Sequence, residues 1–339
     1  MKKIFSILMT TVLAFSSLTA CASQSSSDAS NTDAQSSAES DKLQIVTTIF
    51  PEYDWVKAIL GDNTDNAEVT MLLDNGVDLH SYQPTFDDIM KISTCDLFVY
   101  VGGESDGWVE DALEEATNKN MVVINLLDVL GDTVKEEEVV EGMQAEEEEA
   151  KEAEGAEEEP EYDEHVWLSL KNTEVLSNAI AEALEKIDPE NTDAYKANVA
   201  SYVEQLSALD AKYQTTVDTA THKTLLFGDR FPFRYLVDDY DISYYAAFVG
   251  CSAETEASFE TITFLAGKIN ELGLTHVLTI ENSDQKIANT IIQNTKSKNQ
   301  SILSLDSMQS TTSEDVANGA TYLSIMNSNL EVLKEVMNG

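Results

Sequence analysis

Short apolar runs alternate with segments of helical spacing through the first part of the chain. The third run, LFVYV at 97–101, has no polar position, which is typical of a parallel strand buried on both faces. The predicted strands are 43–49, 67–72, 97–101 and 121–126, and the predicted helices between them are 52–60, 85–93 and 108–116. Strand and helix in this alternation predict an open α/β sheet covered on both faces.

The alternation returns near the end of the chain, after two purely helical segments. A helix is predicted at 172–187, and Asp188-Pro189 ends it. Apolar residues at spacings of three and four continue over 190–222, and a helix of about 30 residues would extend about 45 Å. Four further strands are predicted at 224–227, 244–248, 276–280 and 301–305. We therefore predict an α/β fold of two open lobes, 43–188 and 223–339, joined by a long connecting helix.

The N-terminus has the features of a targeting segment rather than of a folded element. Lys2 and Lys3 precede an apolar stretch at 4–18 that is too short for a stable membrane anchor. Leu18-Thr19-Ala20-Cys21 resembles the lipobox of bacterial lipoproteins, which predicts a signal peptide at 1–20 and lipid modification of Cys21. Residues 21–42 are rich in Ser, Ala and Asp, and we predict a flexible tether there.

An acidic run separates the first lobe's strands from its last helix. Lys135 to Glu164 contains 16 carboxylates and two lysines, a composition that predicts a disordered, solvated loop over 133–163. The run ends at His165, directly before the apolar residues Val166 and Trp167. Two interpretations stay open: a solubilising insertion, or a collector of cations beside a cation site.

The overall charge restricts the classes of partner. The formal net charge of −42 argues against nucleic acid and anionic membranes, which require basic patches, and permits cations. Cys95 and Cys251 are far apart in sequence, and we interpret both as buried free thiols, with a disulfide between them as the alternative. The sequence lacks HExxH, GxSxG and Walker-type motifs, so no enzymatic activity is predicted.

Of four potential metal ligands, three follow predicted strands. Ligands of open α/β sheets bind at the carboxyl ends of the strands, and His80, Asp229 and Glu281 each come after a strand, while His165 follows the acidic run. Two imidazoles with carboxylates suit zinc, and equally manganese or iron(II).

Three segments carry a family resemblance. LDNGVDLHSYQPTFDDIMKISTCDLFVYVGG, DEHVWLSL and VGCSAETEASFETITFLAGKINELGLTHVLTIEN resemble the ligand-bearing segments of the metal-binding lipoproteins of bacterial zinc and manganese ABC transporters. The resemblance implies two α/β lobes with a rigid connecting helix and an ion held in the cleft between them. It implies His80, His165 and Glu281 as ligands. The family's third histidine position is different here: FGDRFPFRY has none, and Asp229 is the nearest residue able to bind a metal.

The resemblance also implies a function. We expect a monomeric lipoprotein, anchored outside the cell membrane through lipidated Cys21, that captures Zn²⁺ and delivers it to an ABC permease. The alternatives are a manganese or iron(II) carrier of the same family and a surface adhesin on this fold. A metallohydrolase using His80, His165 and a carboxylate is a further, weaker alternative, because the sequence offers no obvious general base.

Overall fold

A computed structural model describes residues 42–144, 161–252 and 256–339. The predicted signal peptide (1–20), Cys21 and its tether up to residue 41, and part of the acidic run (145–160) lie outside the described residues. Within the described part of the chain, no helix combines the length and the apolar content that a bilayer crossing requires.

Eight strands and eleven helices build the described residues. The strands are β1 (Leu43–Thr47), β2 (Ala67–Met71), β3 (Leu97–Tyr100), β4 (Val122–Asn125), β5 (Thr224–Phe231), β6 (Ser243–Val249), β7 (His276–Thr279) and β8 (Ser301–Ser304). The helices are α1 (Phe50–Leu60), α2 (Phe86–Thr94), α3 (Val109–Glu114), α4 (Leu126–Leu130), α5 (Leu170–Ile187), α6 (Thr192–Asp218), α7 (Arg234–Asp239), α8 (Phe259–Leu272), α9 (Lys286–Asn294), α10 (Ser313–Ala317) and α11 (Tyr322–Asn338).

Two parallel four-stranded sheets define two lobes. Their strand orders are β2-β1-β3-β4 and β6-β5-β7-β8, and every neighbouring pair is parallel. The predicted α/β fold of two lobes is confirmed. In parallel sheets all carboxyl ends lie at one edge, so the loops that follow the strands of each lobe cluster there.

The connecting helix α6 ties the lobes together. It is 27 residues long and packs on α1 and α5 of the first lobe and on the C-terminal helix α11. One buried side of α6 carries the contacts, including Tyr195, Leu206 and Tyr213. The helix α11 also returns to the first lobe, where Tyr322 meets Trp55 edge to face at 5.5 Å between ring centroids. The lobes therefore share a continuous apolar core beside the cleft.

Strand β5 is longer than predicted. The sequence indicates a strand over 224–227 followed by a loop, because Gly228, Asp229 and Arg230 interrupt the apolar run. The strand continues to Phe231, with an irregularity between Phe227 and Arg230, because the neighbouring strand β6 continues to pair with it. Asp229 and Arg230 consequently lie within a strand, not in a loop.

The acidic run is ordered at both of its ends. The expectation of disorder over 133–163 does not hold for 133–144 and 161–163, because these two stretches pair with each other. Glu136 and Tyr162 form an antiparallel bridge, and the Glu137 amide donates to the Glu161 carbonyl at 2.9 Å. The Lys135 amide donates to the Tyr235 hydroxyl of α7 at 3.0 Å, which attaches the pair to the second lobe.

Candidate metal centre

His80 lies in a 3₁₀ turn (Leu79–Ser81) that follows β2. Asp78 caps this turn, since its Oδ1 accepts the His80 backbone N–H at 3.1 Å. The ring nitrogen Nδ1 lies 2.8 Å from Ser105 Oγ and 3.4 Å from Glu164 Oε2. These neighbours fix the ring and leave Nε2 directed away from them.

His165 is fully buried and precedes the 3₁₀ turn Val166–Leu168. Asp163 Oδ1 accepts from the His165 backbone N–H and lies 2.9 Å from His165 Nδ1. The Nε2 atoms of His165 and His80 face each other at 3.1 Å. The structure thus brings together the two histidines that the sequence predicts as ligands.

Cys251 completes a group of three. Its Sγ and one nitrogen of each imidazole all lie within 4.8 Å of one another. Among the described residues, these three side chains are the ones close enough together to hold a metal ion as a group. Cys251 follows β6, and its backbone N–H donates to Glu137 Oε1 at 3.0 Å. Sequence reasoning missed this residue, although it satisfies the same rule of position at the carboxyl end of a strand that singled out His80 and Asp229.

Gly250 allows the sulfur to approach. A Cβ at this position would lie 2.9 Å from His165 Cε1 and 2.9 Å from the Phe231 carbonyl oxygen, so a side chain would force the strand and the imidazole apart. The Gly250-Cys251 pair therefore puts the second lobe in direct contact with the histidine of the first.

Asp229 and Glu281 do not join the three residues as a set of mutually close ligands. Both line a cleft of about 420 Å³ together with Asp78 and Arg230. Asp229 Oδ2 accepts from Ser283 Oγ, and Oδ1 accepts from the Arg230 backbone N–H. The Glu281 oxygens accept from four donors: Ser307 N at 2.7 Å, Ser307 Oγ at 2.8 Å, Gln309 N at 3.2 Å and Ser310 Oγ at 3.4 Å. Hydrogen bonds within the second lobe thus hold in place both carboxylates that the sequence predicts as ligands.

Arg230 reaches across the cleft to the first lobe. Its guanidinium donates to Asp78 Oδ2, the same carboxylate that caps the His80 turn. Burial raises the pKa of Asp78, but Arg230 and His80 outweigh that effect and hold the pKa below its usual range. Arginine cannot bind a cation itself, and here it neutralises an acid beside the site.

The two imidazoles differ in their protonation. Burial is the main cause that lowers the pKa of His80 to about 3, and the positive charges of His165 and Arg230 add to it. Burial also disfavours a charged His165, yet Asp163 outweighs burial and raises the pKa of His165. In the neutral form a proton on His165 Nδ1 donates to Asp163, so that Nε2 keeps its lone pair. Carboxylates behind both rings are the usual partners of metal-bound histidines.

Three buried carboxyl groups of the first lobe each have one oxygen without a hydrogen-bond partner among the described residues. They are Glu52 Oε1, Asp106 Oδ1 and Glu164 Oε2. Burial raises the pKa of all three groups, that of Asp106 to about 7. Burial therefore favours the neutral, protonated form of these three groups. Glu164 lies against the histidine pair, 3.4 Å from His80 Nδ1.

A family model described as the periplasmic zinc-uptake complex component A matches residues 45–336. The architecture and the histidine pair had already defined a two-lobed protein with a candidate metal site in its cleft. The chain belongs to this zinc-uptake component A family.

Individual relatives agree with the family. The zinc-binding lipoprotein AdcA of Streptococcus pneumoniae serotype 4 is 31% identical over 99% of this chain, which spans 61% of the length of that relative. The high-affinity zinc uptake system protein ZnuA of Bacillus subtilis is 31% identical, covering 90% of this chain and 91% of the relative. The Zn(II)-bound ZnuA-like domain of S. pneumoniae AdcA is a similar solved structure, with a TM-score of 0.67, 28% identity, and coverage of 88% of this chain and all of that domain.

Proposed function

We propose that this chain captures Zn²⁺ outside the cytoplasm and passes it to an ABC importer. The observation that carries the proposal is the pair of imidazoles from two separate segments, with Nε2 atoms 3.1 Å apart. Zn–N bonds of about 2.0–2.1 Å in a tetrahedral site put two nitrogens about 3.3 Å apart, so a shift of a few tenths of an ångström would accommodate the ion. The relatives named for zinc binding and zinc uptake support the same ion.

His80 and His165 are the ligands of the first lobe in this proposal. Each presents Nε2 to the ion while Nδ1 is held by a neighbour, an arrangement that orients the rings before the metal arrives. Asp229 and Glu281, which the sequence predicts as ligands, are assigned to the wall of the cleft, because they lie outside the group of close ligand atoms that the two histidines form with Cys251.

The remaining parts of the proposal concern location and delivery. A lipid on Cys21 holds the chain at the outer face of the membrane, as the lipobox resemblance implies. The zinc-loaded chain docks as a monomer on a membrane permease, which receives the ion. The protein binds and releases zinc without chemical conversion.

Zinc titration of metal-free protein tests the proposal. The His80→Ala and His165→Ala variants should each lower zinc affinity by on the order of 100-fold or more, because each removes a direct ligand. His222→Ala is the matched control: His222 precedes β5 at the amino end of the sheet, opposite the cleft, and its loss should leave affinity unchanged. Tight zinc binding by the double variant His80→Ala/His165→Ala, or tighter binding of Mn²⁺ than of Zn²⁺ by the unaltered chain, would contradict it.

Growth under zinc limitation tests the transport role. A strain lacking its own zinc-binding component should grow when supplied with this chain and its permease, and rescue should require Cys21 and His165. A protein acting only as an adhesin would not restore growth.

A further inference from the structure

The second lobe contributes one side chain to the group at the centre of the cleft, and that side chain ends in sulfur. Cys251 Sγ lies within 4.8 Å of a nitrogen of each histidine. The carboxylates of the same lobe are engaged elsewhere, Asp229 by Ser283 and Glu281 by the loop 307–310. A metal held by the histidine pair would therefore meet the thiol as its donor from this lobe.

We propose that Cys251 is the third protein ligand, as a thiolate, and that its sulfur makes the site selective for thiophilic Zn²⁺ over Mn²⁺. This inference rests on the proposed function and adds to it the residue that selects the ion. As the sulfur–metal bond forms, the S–H bond breaks, the electron pair stays on sulfur, and the proton leaves to solvent.

The surroundings of Cys251 differ from those of a structural thiol. Cys95 is such a thiol: it is fully buried, and its S–H donates to the Ile92 carbonyl inside the core of the first lobe. Cys251 instead lies in the cleft beside the two imidazoles, and its neighbour Gly250 brings it against His165. Burial and the nearby acids Glu137, Asp163 and Glu164 raise the pKa of its thiol, so the thiol of the metal-free protein keeps its proton until a metal displaces it. Both thiols are free, so Cys251 is not consumed in a disulfide within the described residues.

Sulfur changes which ions the site can favour. Thiolate is a soft donor that suits Zn²⁺, whereas Mn²⁺ binds most weakly of the first-row divalent ions and prefers oxygen. A site of two imidazoles and a carboxylate would discriminate less between them. The acidic run offers only oxygen donors and can attract cations without selecting one. Selection therefore falls to the folded residue Cys251.

Cobalt binding reports directly on the sulfur. The metal-free full chain titrated with Co²⁺ should show a thiolate-to-cobalt charge-transfer band in the near ultraviolet. The Cys251→Ser variant should lack this band, while Cys21→Ser and Cys95→Ala, which alter the other two cysteines, should retain it. The thermal unfolding of each variant in the metal-free state checks that a lost band does not reflect a lost fold.

Affinities for two ions complete the test. Cys251→Ser should weaken Zn²⁺ binding by on the order of 100-fold and change Mn²⁺ binding much less. Cys251→His should restore zinc binding without the charge-transfer band, since an imidazole replaces the sulfur.

The outcomes separate this inference from the proposed function. Unaltered protein that binds Zn²⁺ tightly but shows no charge-transfer band with Co²⁺, and a Cys251→Ser variant that keeps zinc affinity within threefold, would overturn the role of Cys251 and leave zinc capture intact. Failure of the unaltered chain to bind Zn²⁺ or Co²⁺ would overturn both.

Discussion

The two lobes have the same sheet topology and present very different surfaces to the cleft. If the strands of each lobe are numbered along the chain, both sheets have the strand order 2-1-3-4. In both, the loops that follow the carboxyl ends of the strands lie at the cleft. The first lobe presents two imidazole nitrogens that face each other. The second presents two carboxylates whose oxygens accept hydrogen bonds from their own lobe, and one thiol.

This difference shows that residue type alone does not make a ligand. Metal-ligating side chains are held in place by hydrogen bonds to their neighbours and present a lone pair to the ion. In His80 and His165, Ser105 and Asp163 engage Nδ1, and Nε2 of each ring faces Nε2 of the other. Glu281 is held in place through both of its oxygens.

Among the residues that orient the two histidines, the largest effect is expected from loosening the hold on His165. Asp163→Asn keeps an oxygen that can accept from His165 Nδ1 but removes the negative charge behind the ring, and zinc affinity should fall by about 10- to 100-fold. Glu164→Gln should cost less, because Glu164 lies 3.4 Å from His80 Nδ1 and Ser105 shares that nitrogen. Competition with a chromogenic chelator measures both.

Glu182→Gln is the control for charge alone, since Glu182 is exposed on α5. A loss as large in this variant as in Asp163→Asn would mean that net charge, not orientation of the imidazole, determines affinity.

The sequence predicts the fold well because most of its signals are local. Apolar runs and helical spacing locate all eight strands and the connecting helix, whose observed span is Thr192–Asp218. The extension of β5 through Asp229 and Arg230 is not local: it depends on pairing with β6, where Arg230 lies opposite Phe248. The residue pattern of one strand does not show how far a neighbouring strand continues to pair with it.

The site is less predictable, because its chemistry depends on contacts between distant segments. His80 and His165 are found from strand ends and from the resemblance to metal-binding lipoproteins. Asp163 is hidden within the acidic run, where every carboxylate has the same local pattern. The hydrogen bonds of Glu281 come from residues 26 to 29 positions further along the chain, which a local pattern does not show. In sequence, Cys251 resembles a core thiol, and only the fold shows that it lies beside the two histidines.

The buried carboxyl groups of the first lobe predict an effect of intermediate size, this time on the free energy of unfolding and its pH dependence. Asp106 has a folded pKa of about 7, raised by burial above the value of 3.8 in the unfolded chain. The folded state therefore binds more protons than the unfolded state between these values, and its stability falls as pH rises from about 4 to 7.

Asp106→Asn should remove this dependence, because an amide does not ionise and its oxygen can still accept from the Gly102 N–H. The gain in free energy of unfolding should be about 1 to 3 kcal/mol at pH 8 and close to zero at pH 4. Urea unfolding of zinc-free protein at both values measures it. Asp111→Asn, at an exposed position of α3, should change neither value; a gain of equal size at pH 4 and pH 8 would exclude ionisation as the cause.

The smallest effect on zinc affinity is expected at Glu281, which the sequence predicts as a ligand. Glu281→Gln should change zinc affinity by less than about threefold, under 1 kcal/mol, because the Glu281 oxygens are directed at Ser307, Gln309 and Ser310. The same change should lower the free energy of unfolding by about 1 to 2 kcal/mol, since the amide nitrogen replaces an acceptor and faces a donor. Glu260→Gln, an exposed acid at the start of α8, should leave both quantities unchanged. A 30-fold loss of zinc affinity without loss of stability would instead show that Glu281 leaves the loop 307–310 to bind the ion. In that case both lobes would supply ligands that the sequence predicts, and the contrast between them would hold only for the metal-free protein.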